Sequence, residues 1–198
     1  MGPDSFAQGT WGDPVSERRL WLARLPEMRL AYFEELLEAA PSEDSGVVAD
    51  FAGMGRLFDA FNEWRVTVRP ALGRIDIAAI GWAMPPAEDG RIPYRACVPI
   101  RSDYRPPEPA RTTFFPGGSY FYAYADNVDE IEDVSAAVRD ALGAAEFRAH
   151  SGLVEVYKFH YNLDQHPCDC GFLVKNLDGS EPVMASSGHN APLPIARG

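Results

Sequence analysis

The chain holds only three cysteines, Cys97, Cys168 and Cys170, an odd number without a paired framework. Free thiols in a reducing compartment are therefore expected, not disulfides. Positive charge is also scarce: 18 Lys and Arg stand against 29 Asp and Glu, a formal net charge of -11. The Lys and Arg clusters that nucleic-acid phosphates demand are missing, so nucleic acid is not an expected partner. No apolar run approaches the roughly 20 residues of a spanning helix, and no membrane partner is expected. The opening Met1-Gly2-Pro3-Asp4-Ser5 lacks the basic and apolar regions of a signal peptide, which points to a cytoplasmic location. There is no nucleophile-elbow sequence with an ordered Ser-His-Asp set and no phosphate-binding Gly-rich loop. His166-Pro167-Cys168-Asp169-Cys170, with His160 upstream, lacks the spacing of the usual zinc sites. Neither a metal nor a cofactor is expected, and the stretch reads as a turn entering a strand.

What the chain does have is a hydrophobic content of 46%, which excludes disorder as the default and suits one domain or two small, tightly packed ones. Pro14 to Leu22 is expected to open a short helix that stops before Pro26. A first strand is expected over Met28 to Glu34, and a loop over Pro41 to Gly46. Phe51, Met54, Leu57, Phe58, Phe61 and Trp64 then recur at helical spacing. Two strands follow, Arg74 to Met84 and Tyr94 to Ile100, turned by Pro85 through Gly90. After a proline-rich boundary at Ser102 to Pro109 the same order returns. Arg111 to Asp126 is a strand broken at Pro116-Gly117-Gly118. Asn127, with Glu130 three residues on, is a capping box for a helix running to Gly143. Two more strands follow, Leu153 to Tyr161 and Cys170 to Asn176. The expected fold is therefore α+β, two β-α-β-β repeats (residues 28–101 and 110–176) in pseudo-twofold arrangement with a ligand cleft between them. Residues 1–27 form an N-terminal extension and 177–198 a tail that is poorly ordered or lies along the surface. Both flanks are expected to be dispensable for ligand binding.

Leu153 to Tyr161 organises the rest. Side chains alternate across a strand, so one face carries Leu153, Glu155, Tyr157, Phe159 and Tyr161, and the other Val154, Val156, Lys158 and His160. A carboxylate is thus set in a row of aromatic rings. Withdrawing an unpaired carboxylate from water costs several kcal/mol, on the order of what a small domain can spare. Three environments account for Glu155: a solvated edge, an ion pair with a buried Arg or Lys, or a place reserved for a cationic ligand stacked on the rings. Tyr120, Tyr122 and Tyr124 alternate on one strand face, and each buried hydroxyl needs a partner that a half-open cleft supplies more easily than a dry core. Trp82 and Tyr94 lie on adjacent strands and are expected as the opposite wall, or as a cross-strand core pair. Phe51, Phe58 and Phe61 are expected in the core, because amphipathic spacing accounts for them.

Pro116-Gly117-Gly118-Ser119-Tyr120-Phe121-Tyr122-Ala123 and Val154-Glu155-Val156-Tyr157 resemble the Pro-x-Gly-x-Tyr and Glu-x-Tyr strands of GyrI-like small-molecule-binding domains. These are the effector-binding modules of multidrug-sensing regulators. Phe61-Asn62-Glu63-Trp64 and the hairpin Met84-Pro85-Pro86 through Val98 are similar to the first repeat. The resemblance spans residues 28–176. Where the family often has a glycine before the second helix, this chain has Ala125-Asp126-Asn127. The residues ahead of the first strand are too few for a helix-turn-helix, so a stand-alone form is expected.

The resemblance implies an aromatic cleft with a central carboxylate that binds or sequesters flat, lipophilic, drug-like organic cations. Glu155 would be the anchor, and Tyr157, Tyr120, Tyr122, Phe159, Trp82 and Tyr94 the remaining ligand-binding residues. Some members of the family hydrolyse cyclopropane-bearing toxins. That implies an alternative in which Glu155 is a base for water and Tyr157 a hydrogen-bond donor, since desolvation raises a carboxyl pKa toward a value useful for proton transfer.

Overall fold

The computed structural model describes residues 19–38, 50–67, 76–159 and 166–182. Nine strands, all paired antiparallel, and two α-helices make up the described residues: β1 Trp21–Leu25, β2 Met28–Leu37, α1 Phe51–Thr67, β3 Ile77–Ala83, β4 Ile92–Pro99, β5 Arg111–Phe115, β6 Gly118–Ala125, α2 Ile131–Ala144, β7 Phe147–Ala149, β8 Val154–Lys158 and β9 Cys168–Asn176. The sheet order is β1-β6-β9-β8-β3-β4-β2-β5, with β7 added on β9. This order reads the same from both ends once the halves are matched. The trio β6-β9-β8 mirrors β2-β4-β3, and β1 and β5 take equivalent edges. The pseudo-twofold axis passes between β3 and β8, where Gly81 faces Glu155.

The sheet curls because one ribbon joins its two ends. The β1–β6 and β2–β5 ladders keep a single register, with Leu25 opposite Gly118 and then Met28 opposite Phe115. Only Pro26-Glu27 and Pro116-Gly117 lie between these pairs, and there the ribbon bends. Gly117 has φ 64°, and a Cβ at this position would lie 2.6 Å from the Glu27 amide nitrogen and 2.8 Å from the Leu25 carbonyl oxygen. Gly117→Ala combines backbone strain with a clash against main chain, so a stability loss of about 2–4 kcal/mol is expected in urea titration. A loss under about 0.5 kcal/mol would contradict this account of the bend.

Each sheet face has its own core. Met54, Leu57, Phe61 and Trp64 of α1 and Ile131, Val134, Val138 and Leu142 of α2 pack on one face. The second cluster includes Leu30, Ile80, Trp82, Cys97, Phe115, Tyr120, Val154 and Leu173 and contains no helical residue. Its side chains are buried because the curled sheet covers its own inner face.

Several local expectations change. The described part of the expected helix over 14–22 is extended and leads into β1, because Trp21–Leu25 finds a partner in β6. The expected loop over 41–46 and positions His160 and Tyr161 lie outside the described residues. At α1, the Asp50 carboxylate accepts a hydrogen bond from the Gly53 amide at 2.7 Å and caps the helix. Asn127 caps a 3-10 turn, Val128–Glu130, accepting from the Asp129 amide, and α2 follows from Ile131. The second helix ends at Ala144, one residue past the expected Gly143, and Glu146 just beyond it is in the left-handed region at φ 58°. Of the expected tail, residues 177–182 are described, and the Glu181 carboxylate accepts a hydrogen bond from Ser119 at 3.0 Å, against β6.

Candidate functional site

Alternation along β8 points Leu153 and Tyr157 at the helix-covered face and Val154 and Val156 into the inner cluster. Glu155 shares the helix-side orientation and is 0% exposed. Its Oε2 accepts hydrogen bonds from the Tyr94 hydroxyl at 2.7 Å and the Tyr157 hydroxyl at 2.8 Å. Its Oε1 is buried and has no hydrogen-bond partner among the described residues. Among the described residues no Arg, Lys or His forms a salt bridge with it. Of the three environments that account for Glu155, the solvated edge and the structural ion pair are thus absent from the described residues.

Burial pushes the Glu155 carboxyl above its ordinary value, and the hydrogen bonds from Tyr94 and Tyr157 offset part of that rise. Both tyrosine hydroxyls are held well above their usual range, first by burial and then by the neighbouring carboxylate. Space for the group comes from Gly81. A Cβ there would lie 2.6 Å from Glu155 Oε2 and against the Tyr94 hydroxyl.

Next to this triad is a cavity of about 270 Å³. Met54, Phe58, Asn62 and Arg65 of α1 line it with Ala78 and Ala79 of β3, Val128 and Asp129 ahead of α2, Tyr157 and His166. It therefore lies between the two halves of the fold. Asp59 and Asp129 are exposed at its margin. Arg65 donates to the Ala78 carbonyl at 3.0 Å, which fixes its guanidinium in the wall. Phe58 lines the cavity and packs edge-on against Tyr157 (5.5 Å) and Tyr94 (6.3 Å). Glu155 is absent from the lining, so the carboxylate sits behind the cavity wall formed by Tyr157 and Phe58.

The structure thus brings Tyr94 and Tyr157 onto Glu155 and leaves the other expected residues elsewhere. Trp82 faces the inner cluster, stacked edge-on with Phe115 at 5.2 Å. The β3–β4 register sets Tyr94 opposite Ala83 and Trp82 opposite Arg95, so Trp82 and Tyr94 point to opposite faces. Tyr120 and Tyr122 also face the inner cluster, with their rings stacked at 4.9 Å. The Tyr120 hydroxyl is shared between the carbonyls of Val154 (2.7 Å) and Asp169 (2.6 Å). Its partner is main chain, not a cleft. Phe159 is 53% exposed in the turn after β8, away from the cavity lining.

The sequence reading missed Met54, Asn62, Arg65, Asp129 and His166, and placed Phe58 in the core. One signal was available. Met54, Phe58, Asn62 and Arg65 recur at three- and four-residue spacing and form a half-polar stripe beside the apolar one on α1.

No protein-family model and no curated protein sequence matches the chain. Solved structures do. The C-terminal domain of EcmrR aligns with 81% of this chain and 99% of that domain, at 10% identity and a TM-score of 0.58. SAV2435, solved bound to tetraphenylphosphonium, aligns over 80% of this chain and 95% of its own at 15% identity and a TM-score of 0.54. An integron cassette protein from Vibrio cholerae aligns over 79% and 96% at 13% identity and a TM-score of 0.52. At these identities the likeness is one of fold: the chain has the GyrI-like α+β fold that its strand motifs resemble.

Proposed function

We propose that this protein binds flat, lipophilic organic cations in the cavity between its two halves, with Glu155 as the charge that selects them. The observation that carries the reading is a fully buried carboxylate with one unpartnered oxygen and no salt bridge among the described residues, directly behind a largely apolar cavity wall. Such a group is costly in the empty protein, and a desolvated cation removes the cost. Phe58 and Tyr157 present ring faces worth about 0.5–2 kcal/mol each to a cation. Asp59 and Asp129 at the margin favour the approach of positive charge. SAV2435, which shares the fold, was solved with a lipophilic cation bound. A ligand reaches the carboxylate by displacing the half-buried Phe58 ring.

Dye displacement with flat cations and size-matched neutral analogues, with ligand mass followed over time, tests the reading. Cations should displace the dye, neutral analogues should do so at least about tenfold more weakly, a difference of about 1.4 kcal/mol, and ligand masses should not change. Affinity for cations should fall as pH drops through the raised Glu155 pKa, because protonation removes the anchoring charge. Displacement by neutral and cationic members alike, at every pH, would reject the assignment. Hydrolysis products would instead support the reading of Glu155 as a base and Tyr157 as a donor.

A further inference from the structure

The two thiols of β9 are not used by cation binding, and they are close enough to act together. Cys168 and Cys170 are alternate residues on one strand face, both fully buried, with Sγ atoms 3.3 Å apart. Tyr157 shares a buried cluster with both thiols, and it also lines the cavity. His166, two residues before Cys168, lines it as well.

We propose that Cys168 and Cys170 form a dithiol site for trivalent arsenic compounds of the type aryl-As(OH)2, with the aryl group held in the adjoining aromatic cavity. The spacing selects the element's geometry. Two bonds of about 2.3 Å, the length of a thiolate–zinc bond, close a bite of about 90° across a 3.3 Å gap. That suits a pyramidal centre with a lone pair. A linear two-coordinate ion needs sulfurs about 4.6 Å apart and a tetrahedral one about 3.8 Å, by the same bond length. The reaction is a condensation without redox change. Each S–H and As–OH pair gives one As–S bond and one water, so the protein ends as Cys168-S-As(aryl)-S-Cys170 with two waters released. The thiol protons leave in the water, so no free thiolate has to persist in the buried site. Cys97 is an internal control, because it is buried alone in the inner cluster on the other sheet face. The site stands on thiol geometry and does not depend on the cation reading.

The test uses the full chain, reduced with a phosphine, and phenylarsonous acid as the probe. Intact mass should show one phenyl-arsenic per folded chain. It should survive excess monothiol and be removed by a small dithiol. X-ray absorption at the arsenic edge on the wild-type protein should show two sulfur neighbours, a readout that needs no variant. Cys168→Ala and Cys170→Ala should each weaken retention by roughly 100-fold, the loss of the second, intramolecular bond. Cys97→Ala should retain the label. The proposal is overturned if the folded protein stays unlabelled while the urea-unfolded chain reacts. It is equally overturned if monothiol strips the wild-type label as readily as that of the alanine variants, or if the arsenic has one sulfur neighbour.

Discussion

Replacing Gly81 by alanine is expected to destabilise the protein by about 3–5 kcal/mol, among the larger losses a single methyl group can cause. Gly81 faces Glu155 across the β3–β8 ladder, and an added Cβ would enter the hydrogen bond between Tyr94 and Glu155. Neither partner can yield cheaply. Tyr94 and Glu155 are both fully buried, so displacing either strands a hydroxyl or a carboxylate away from water. Gly143→Ala on α2 supplies the contrast, since a Cβ there meets nothing within 4 Å. It should stabilise by up to about 1 kcal/mol through helix propensity. Urea titration of both variants checks the pair. A Gly81→Ala loss below about 1 kcal/mol would mean that the triad repacks freely.

Glu155→Gln is expected to act in opposite directions on binding and on stability. The amide oxygen still accepts from Tyr94 and Tyr157, but the charge is gone. Cation affinity should fall by about 1–3 kcal/mol, the range for a charge-assisted contact. Empty-protein stability should rise, because the buried carboxylate has no salt bridge among the described residues to lose. The gain carries a pH signature. Because the folded-state pKa is raised, the native protein keeps a proton that the unfolded chain has already released, and stability falls as pH rises through that window. The advantage of the Gln variant should therefore be smallest near pH 4.5, the ordinary carboxylate value, and grow with pH until it levels off above the raised pKa. Thermal melts of both proteins at stepped pH provide the measurement. An advantage that shrinks as pH rises would reverse the assigned shift.

The alternation that set Glu155 and Tyr157 on one face was legible along β8, because a strand's period of two is a local property. So was the order of strands and helices from Met28 to Asn176 apart from the short β7, since turn residues and helical stripes announce themselves within a few positions. What a residue faces across the sheet was not. Trp82 and Tyr94 are both large aromatics on neighbouring strands, and only the register that sets Tyr94 opposite Ala83 sends them to different cores. Tyr120 was read as a wall because its hydroxyl needed a partner. The partner is a pair of backbone carbonyls from β8 and β9, which nothing near Tyr120 in the sequence reveals. For the same reason the stretch opening at Pro14 and stopping before Pro26 reads as helix in the sequence, whereas the strand state of Trp21–Leu25 comes from pairing with β6, nearly a hundred residues away. The cavity draws Phe58, Ala79, Asp129, Tyr157 and His166 from separate elements, and only the closure of the fold makes them neighbours.

Cation binding turns on the buried Glu155 carboxylate, which has no salt bridge among the described residues. Calorimetric titration of wild-type and Glu155→Gln protein at moderate salt, with one flat cation and its neutral isostere, tests it most directly. The cation should bind the Gln variant roughly 5- to 150-fold more weakly, about 1–3 kcal/mol, while the neutral isostere binds both proteins alike. Equal cation affinity for the two proteins would contradict it.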